Sequence, residues 1–151
     1  MHVDAQVTIN GTKAAVWQAI TDIEHAATLV RGIDAIELLE RPRDGLVGLA
    51  WRETRQYFGK PAAVIKRITD AVEREHYTTR AQEGRFVFTS TLRLSGSDGA
   101  VTLTSRHETI PQGVLASLQA IPMRLFFTGV IRKALLADLV DLKAAVEKPN
   151  G

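Results

Sequence analysis

Apolar and polar positions alternate with a period of two at the start of the chain and recur with a helical period at its end. Val3, Ala5, Val7 and Ile9 interleave with His2, Asp4, Gln6 and Thr8, the pattern of a half-buried strand. Asn10-Gly11-Thr12 interrupts it, and Asn10 or Thr12 is placed to cap a helix. That helix, Lys13–Ile23, sets Val16, Trp17, Ile20 and Ile23 on one face, and a shorter one, Glu24–Val30, follows a break near Asp22. Period two then returns and persists. It predicts strands over Ile33–Glu40, Leu46–Phe58, Ala62–Val72, Glu73–Gln82, Arg85–Leu94 and Ala100–Ile110, the firmest turn being Ser95-Gly96-Ser97-Asp98-Gly99. Six strands on short turns must form a largely antiparallel meander.

The chain closes on a short amphipathic piece, Val114–Ala120, and a long helix, Pro122–Lys148. Pro122 suits a first helical turn, where its missing N–H has no partner to lose. Phe127, Val130, Ile131, Leu135, Leu139, Leu142 and Val146 follow at helical spacing. At 1.5 Å per residue this helix is about 40 Å long, and the meander is the only element large enough to receive its apolar face. The order β-α-α-β6-α with about seven strands is an α+β architecture, expected as one domain over residues 1–151.

Composition removes several kinds of chemistry. With no cysteine among 151 residues, disulfides, thiolate catalysis and cysteine-bound zinc are excluded. The four histidines are scattered without metal-ligand spacing, and there is no glycine-rich phosphate loop and no G-x-S-x-G, so neither metal nor cofactor is expected. A net charge of +2, spread along the chain, does not favour nucleic acid. The opening MHVDAQVTI is not a signal-peptide pattern. The least charged stretch, Thr109–Ile131, is broken by Pro111, Gly113 and Pro122, so no membrane span is expected and a cytoplasmic protein is. The oligomeric state stays open, a homodimer through the sheet edge or the helix ends being one option.

Three segments carry a family resemblance: VTINGTKAAVWQAITDIEH at the start, VGLAWRETRQYFGK in the middle and GVIRKALLADLVDLKAAVE at the end. In this order and spacing the chain resembles the START-related, or SRPBCC, helix-grip superfamily, in particular its polyketide cyclase/dehydrase-like branch. The resemblance implies a sheet curled around the last helix, with an elongated cavity between them for a lipid, sterol, polyketide or other apolar compound.

If the sheet grips the helix, strand parity names the inward side chains. Leu46–Phe58 would turn Val47, Leu49, Trp51, Glu53, Arg55 and Tyr57 inward. Arg85–Leu94 would contribute Phe86, Phe88, Ser90, Leu92 and Leu94, and Ala100–Ile110 would contribute Val101, Leu103, Ser105, His107 and Thr109. For residues 62–82 the register is ambiguous, with either His76 and Arg80 or Tyr77 and Thr79 facing in. The ligand-binding candidates are therefore Trp51, Glu53, Arg55, Tyr57, Phe86, Phe88, Leu103 and His107 from the sheet, with Phe127 and Ile131 from the helix. Glu53 and Arg55, two apart on one face, are spaced to pair, either as a structural ion pair or to orient the polar end of an apolar ligand. Glu53 or His107 is also the candidate general base of a cyclase/dehydrase-type reaction. The expected function is binding or transport of a small hydrophobic ligand. The alternatives are an acid–base enzyme using the same cavity or a partner-binding module. Along the last helix, Leu139–Val146 is expected to pack solidly and Met123–Leu135 to border the pocket. The loops Arg31-Gly32 and Pro111–Ala120 would flank its entrance.

Overall fold

The structure, a computed structural model, describes residues 1–57 and 59–148, with side chains described outside 119–126. Seven strands form one antiparallel sheet in the order β1-β7-β6-β5-β4-β3-β2. They are β1 (His2–Ile9), β2 (Ala35–Glu40), β3 (Ala50–Tyr57), β4 (Lys60–Val72), β5 (His76–Glu83), β6 (Phe86–Ser97) and β7 (Ala100–Pro111). Between β1 and β2 lie helix α1 (Lys13–Thr21), a 3-10 turn (Ile23–His25) and the one-turn helix α2 (Ala26–Leu29). Helix α3 (Val114–Glu147) ends the fold.

The N-terminal alternation produces β1, which lies antiparallel beside β7 with Ile9 opposite Val101. Thr12, rather than Asn10, caps α1: its hydroxyl accepts the Ala15 N–H at 3.0 Å. Val16 and Ile20, one turn apart on α1, are buried. With Ile9, Ile68, Leu103 and Leu139 they form the centre of the core between sheet and helix.

The pattern misplaces two boundaries for identifiable reasons. Helix α3 begins at Val114, so the separate piece Val114–Ala120 and the long helix expected from Pro122 are one element of 34 residues, about 51 Å long. The break lies at Gly113, whose φ of 90° turns the chain sharply out of β7. Pro122 lies within the helix, where it removes one amide donor but does not end the element. In the second case, the apolar run before Trp51 is not strand. Residues 43–48 form bends and turns, β3 starts at Ala50, and Val47, expected to face in, is exposed. Elsewhere the changes are small. Strand β6 continues through Gly96 to Ser97, leaving the turn at Asp98-Gly99.

The ambiguous register resolves to Tyr77 and Thr79 facing in, both buried, while Arg80 is exposed. An irregularity in β4 between Ile68 and Asp70 shifts the pairing with β5 there. Ahead of it, Lys66 stands beside Trp51 of β3.

The C-terminal end of α3 is fastened to the β1 end. The Glu147 carboxylate accepts the Asn10 N–H at 2.7 Å, and the Lys143 ammonium donates to the Thr8 carbonyl at 2.6 Å. Leu139 and Leu142 are buried but border the cavity, contrary to the solid packing expected of Leu139–Val146. Farther back along the helix Phe127 and Val130 are exposed. Met123, placed at the pocket end by the sequence, lies outside the described side chains.

Candidate functional site

A cavity of about 140 Å³ lies between the sheet, α1, the segment after it and α3. Its apolar wall combines Ile20 and Ile23, Val30 and Ile33, Trp51 and Leu92, with Leu135, Leu139 and Leu142 from α3. The α3 residues follow i, i+4, i+7 spacing, so one helix stripe builds that side.

Four charged side chains interrupt the apolar wall. Glu53, only 7% exposed, points inward from β3. Its Oε2 accepts from Arg55 Nε at 2.7 Å and from Lys66 Nζ at 2.8 Å, while Oε1 accepts from the Trp51 indole at 3.3 Å. Arg55 then reaches across the cavity edge to α3. Its two terminal nitrogens donate to the two oxygens of Asp138 at 3.1 and 2.8 Å, a bidentate pair. Arg55, Asp138 and Lys66 side chains are 19%, 24% and 27% exposed, so this ladder lies where the cavity meets solvent. Gly32 is packed against it. A Cβ at that position would stand 3.0 Å from Arg55 Nη1 and 3.4 Å from Asp138 Oδ1, so the loop after α2 can approach this closely only without a side chain. The neighbouring Arg31 pairs with Asp141 one turn farther along α3.

Burial is the largest influence on Glu53 and opposes its charge. The Lys66 ammonium and the Arg55 guanidinium together outweigh it and hold the carboxyl down at about 2. Burial likewise opposes the Arg55 charge, but Asp138 and Glu53 raise its pKa above the ordinary value. Tyr77 donates its hydroxyl proton to the Ile20 carbonyl at 2.8 Å, and burial raises its pKa. Thr79, Ser90 and Ser105 add hydroxyls to the wall. His107 is adjacent through Ser90: its Nδ1 and the Ser90 hydroxyl are 3.0 Å apart, and its ring stacks on Phe88 at 5.8 Å. Burial, helped by repulsion from Lys66, lowers the His107 pKa to about 4.

Of the residues singled out from sequence, Trp51, Glu53 and Arg55 are part of the cavity wall. His107 and Phe88 form the stacked pair behind Ser90, with Phe86 stacked in turn on Phe88. Leu103 is fully buried in the core. Tyr57 and Phe127 are exposed, Ile131 is half-buried, and none of the three is among the described residues lining the cavity. Sequence reasoning missed Lys66 and Asp138. Asp138 carried a readable signal, since it lies between Leu135 and Leu139 on the apolar stripe of α3. Lys66 carried none, because its strand had no clear parity. Among the described residues no group of three or more histidines and carboxylates could hold a metal ion. No helix among them is long and apolar enough to cross a membrane.

Comparison with solved structures places this architecture in familiar company. The aromatase/cyclase Zhui from Streptomyces sp. R1128 superposes with a TM-score of 0.74 at 20% identity, covering 98% of this chain and 94% of that one. A START superfamily protein from Mycobacterium smegmatis gives 0.68 at 14% identity, covering 93% and 98%. A protein from Thermus thermophilus gives 0.78 at 14%, covering 97% of each chain. At these identities the likeness is one of fold: a curved seven-stranded sheet gripping a long C-terminal helix. No curated protein matches the sequence significantly. The family described as polyketide cyclase / dehydrase and lipid transport matches residues 1–147. The chain belongs to that polyketide cyclase / dehydrase and lipid transport family.

Proposed function

We propose that the protein binds a small hydrophobic ligand in the cavity between its sheet and α3. The observation that carries this reading is the cavity wall itself: aliphatic side chains and Trp51 over most of its surface, with one ionic ladder running from buried Glu53 to the solvent edge. A site that binds apolar molecules needs little more than such a wall and a few fixed polar groups for orientation. Rings of the wall contribute through area removed from water, about 25 cal/mol per Å². The Glu53–Arg55–Asp138 ladder joins sheet to helix and keeps the edge in one geometry. Native mass spectrometry of the purified protein, with solvent extraction of whatever travels with it, is the direct test. A bound apolar compound, or saturable uptake of one, is expected. Failure to take up any lipid, sterol or aromatic probe would count against binding as the function.

A second reading, an acid–base enzyme, has one specific observation in its favour. His107 is held neutral beside the Ser90 hydroxyl at the cavity wall, and Zhui, of the same fold, is named an aromatase/cyclase. In such an enzyme His107 is the better base. Glu53 has both oxygens occupied and a carboxyl at about 2, which makes it a poor proton acceptor near neutral pH. Replacing His107 with Gln should abolish turnover of a polyketide-like substrate while leaving its binding intact, whereas full turnover in that variant would rule out this use of His107.

A further inference from the structure

The cavity narrows the class of ligand beyond the family description, a step that rests on the binding reading above. Its volume, about 140 Å³, is close to that of an apolar cavity that accepts one benzene ring. It is well below the roughly 300 Å³ at which sites for drug-sized molecules begin.

Its charges also cancel. Glu53 and Asp138 face Arg55 and Lys66, two negative groups against two positive, and each has an ion-pair partner at 2.8 Å or less. Each of the three Arg55 nitrogens donates to a carboxylate oxygen. An ionic ligand would leave water without meeting an unpaired counter-charge among the described residues, or would have to break one of these pairs. What remains is hydroxyl chemistry. Ser90 is engaged with His107, and Thr79 reaches the Ser90 carbonyl at 3.5 Å. Ser105 is buried on the cavity wall, its position on β7 facing Leu92 of β6, and it makes no hydrogen bond among the described residues. A hydroxyl that opens on the cavity without a protein partner is available to a ligand's oxygen.

We propose that the cavity takes a neutral, single-ring compound carrying one hydrogen-bonding oxygen, a phenol or cyclic ketone, with that oxygen on the Ser105 hydroxyl. Charge balance disfavours carboxylates and amines, and the volume suits one ring better than a long acyl chain.

The test is isothermal titration calorimetry at pH 7 with phenol, toluene, benzoate, benzylamine and oleate, on the wild-type chain and on Ser105→Val. Phenol is expected to bind at least tenfold more tightly than benzoate or benzylamine, and more tightly than toluene. Ser105→Val should weaken phenol about five- to tenfold, the loss of one hydrogen bond, and leave toluene unchanged. Benzoate binding as well as phenol overturns the charge argument. Oleate binding where the single rings do not overturns the size argument and leaves the binding reading standing. An unchanged phenol-to-toluene ratio in Ser105→Val overturns the assigned contact. No binding of any of the five overturns the inference and the binding reading together. Circular dichroism of Ser105→Val confirms that the variant is folded before its affinities are compared.

Discussion

Replacing Glu53 with Gln tests the ionic ladder most sharply, because it keeps shape while removing the charge and turning one acceptor oxygen into an N–H donor. Two routes give its size. In the first, the carboxyl sits at about 2 instead of 4.5; at about 1.4 kcal/mol per tenfold change in acid constant, its ionised form contributes about 3 kcal/mol to folding. The second starts from the charges left behind. Breaking a buried ion pair by removing one partner costs about 3–5 kcal/mol. Here Arg55 keeps its bidentate pair with Asp138, and Lys66 is partly exposed and can turn to water, so the low end applies. Both routes give about 3 kcal/mol, or about 6–12 °C in Tm for a chain of this size. The assay is urea unfolding of wild type and Glu53→Gln as a function of pH. The sign follows from the direction of the shift. A carboxyl whose folded pKa lies below its unfolded value stabilises above the unfolded value and loses that contribution as pH falls through the folded one. The difference between the two proteins should therefore be constant above about pH 5 and shrink steadily from pH 4.5 towards pH 2. A loss below about 1 kcal/mol at neutral pH, or a difference that does not change across this window, would refute the view that Lys66 and Arg55 overcome the burial of Glu53.

Three further outcomes follow from the same geometry. Leu139→Ala, at a side chain only 1% exposed that borders the cavity, should cost about 2–5 kcal/mol in urea unfolding while admitting larger apolar probes. Gly32→Ala should destabilise by about 1 kcal/mol and weaken ligand binding, because its Cβ would press on Arg55 and Asp138; unchanged stability and affinity would mean the loop yields freely. His107 has a folded pKa of about 4, so its ring resonances in an NMR titration should stay in the neutral form until well below pH 6.5. The same shift removes stability as pH falls from 6.5 to about 4, and His107→Phe should flatten that part of the profile.

Much of the architecture was legible because its strands carry one apolar and one polar face. The alternation in Val3–Ile9 and in the Trp51–Glu53–Arg55 stretch fixed which side chains turn inward, and the helical spacing of Leu135, Leu139 and Leu142 fixed the stripe that meets them. The strand β4 was opaque for a physical reason. Ala62-Ala63-Val64-Ile65 places apolar residues on both parities, and the irregularity between Ile68 and Asp70 shifts the register, so Lys66 could not be assigned a face. The start of α3 was misread because Pro122 looked like a first turn, whereas Gly113 supplies the corner that ends β7. Glu53 and Arg55 were recognisable as a pair from their spacing. That Asp138, 83 residues beyond Arg55, completes the ladder depends on where α3 crosses the sheet, which periodicity does not encode.

The most direct measurement is an NMR titration of protein labelled at the Ile, Leu and Val methyl groups with a neutral apolar probe such as toluene. Binding in the cavity should produce saturable shifts at Ile20, Ile33, Leu139 and Leu142, with little change at the exposed Val114, Leu115 and Leu118. Shifts confined to those exposed residues, or no saturable shift at any cavity methyl, would contradict the proposal that the space beneath α3 is a binding site.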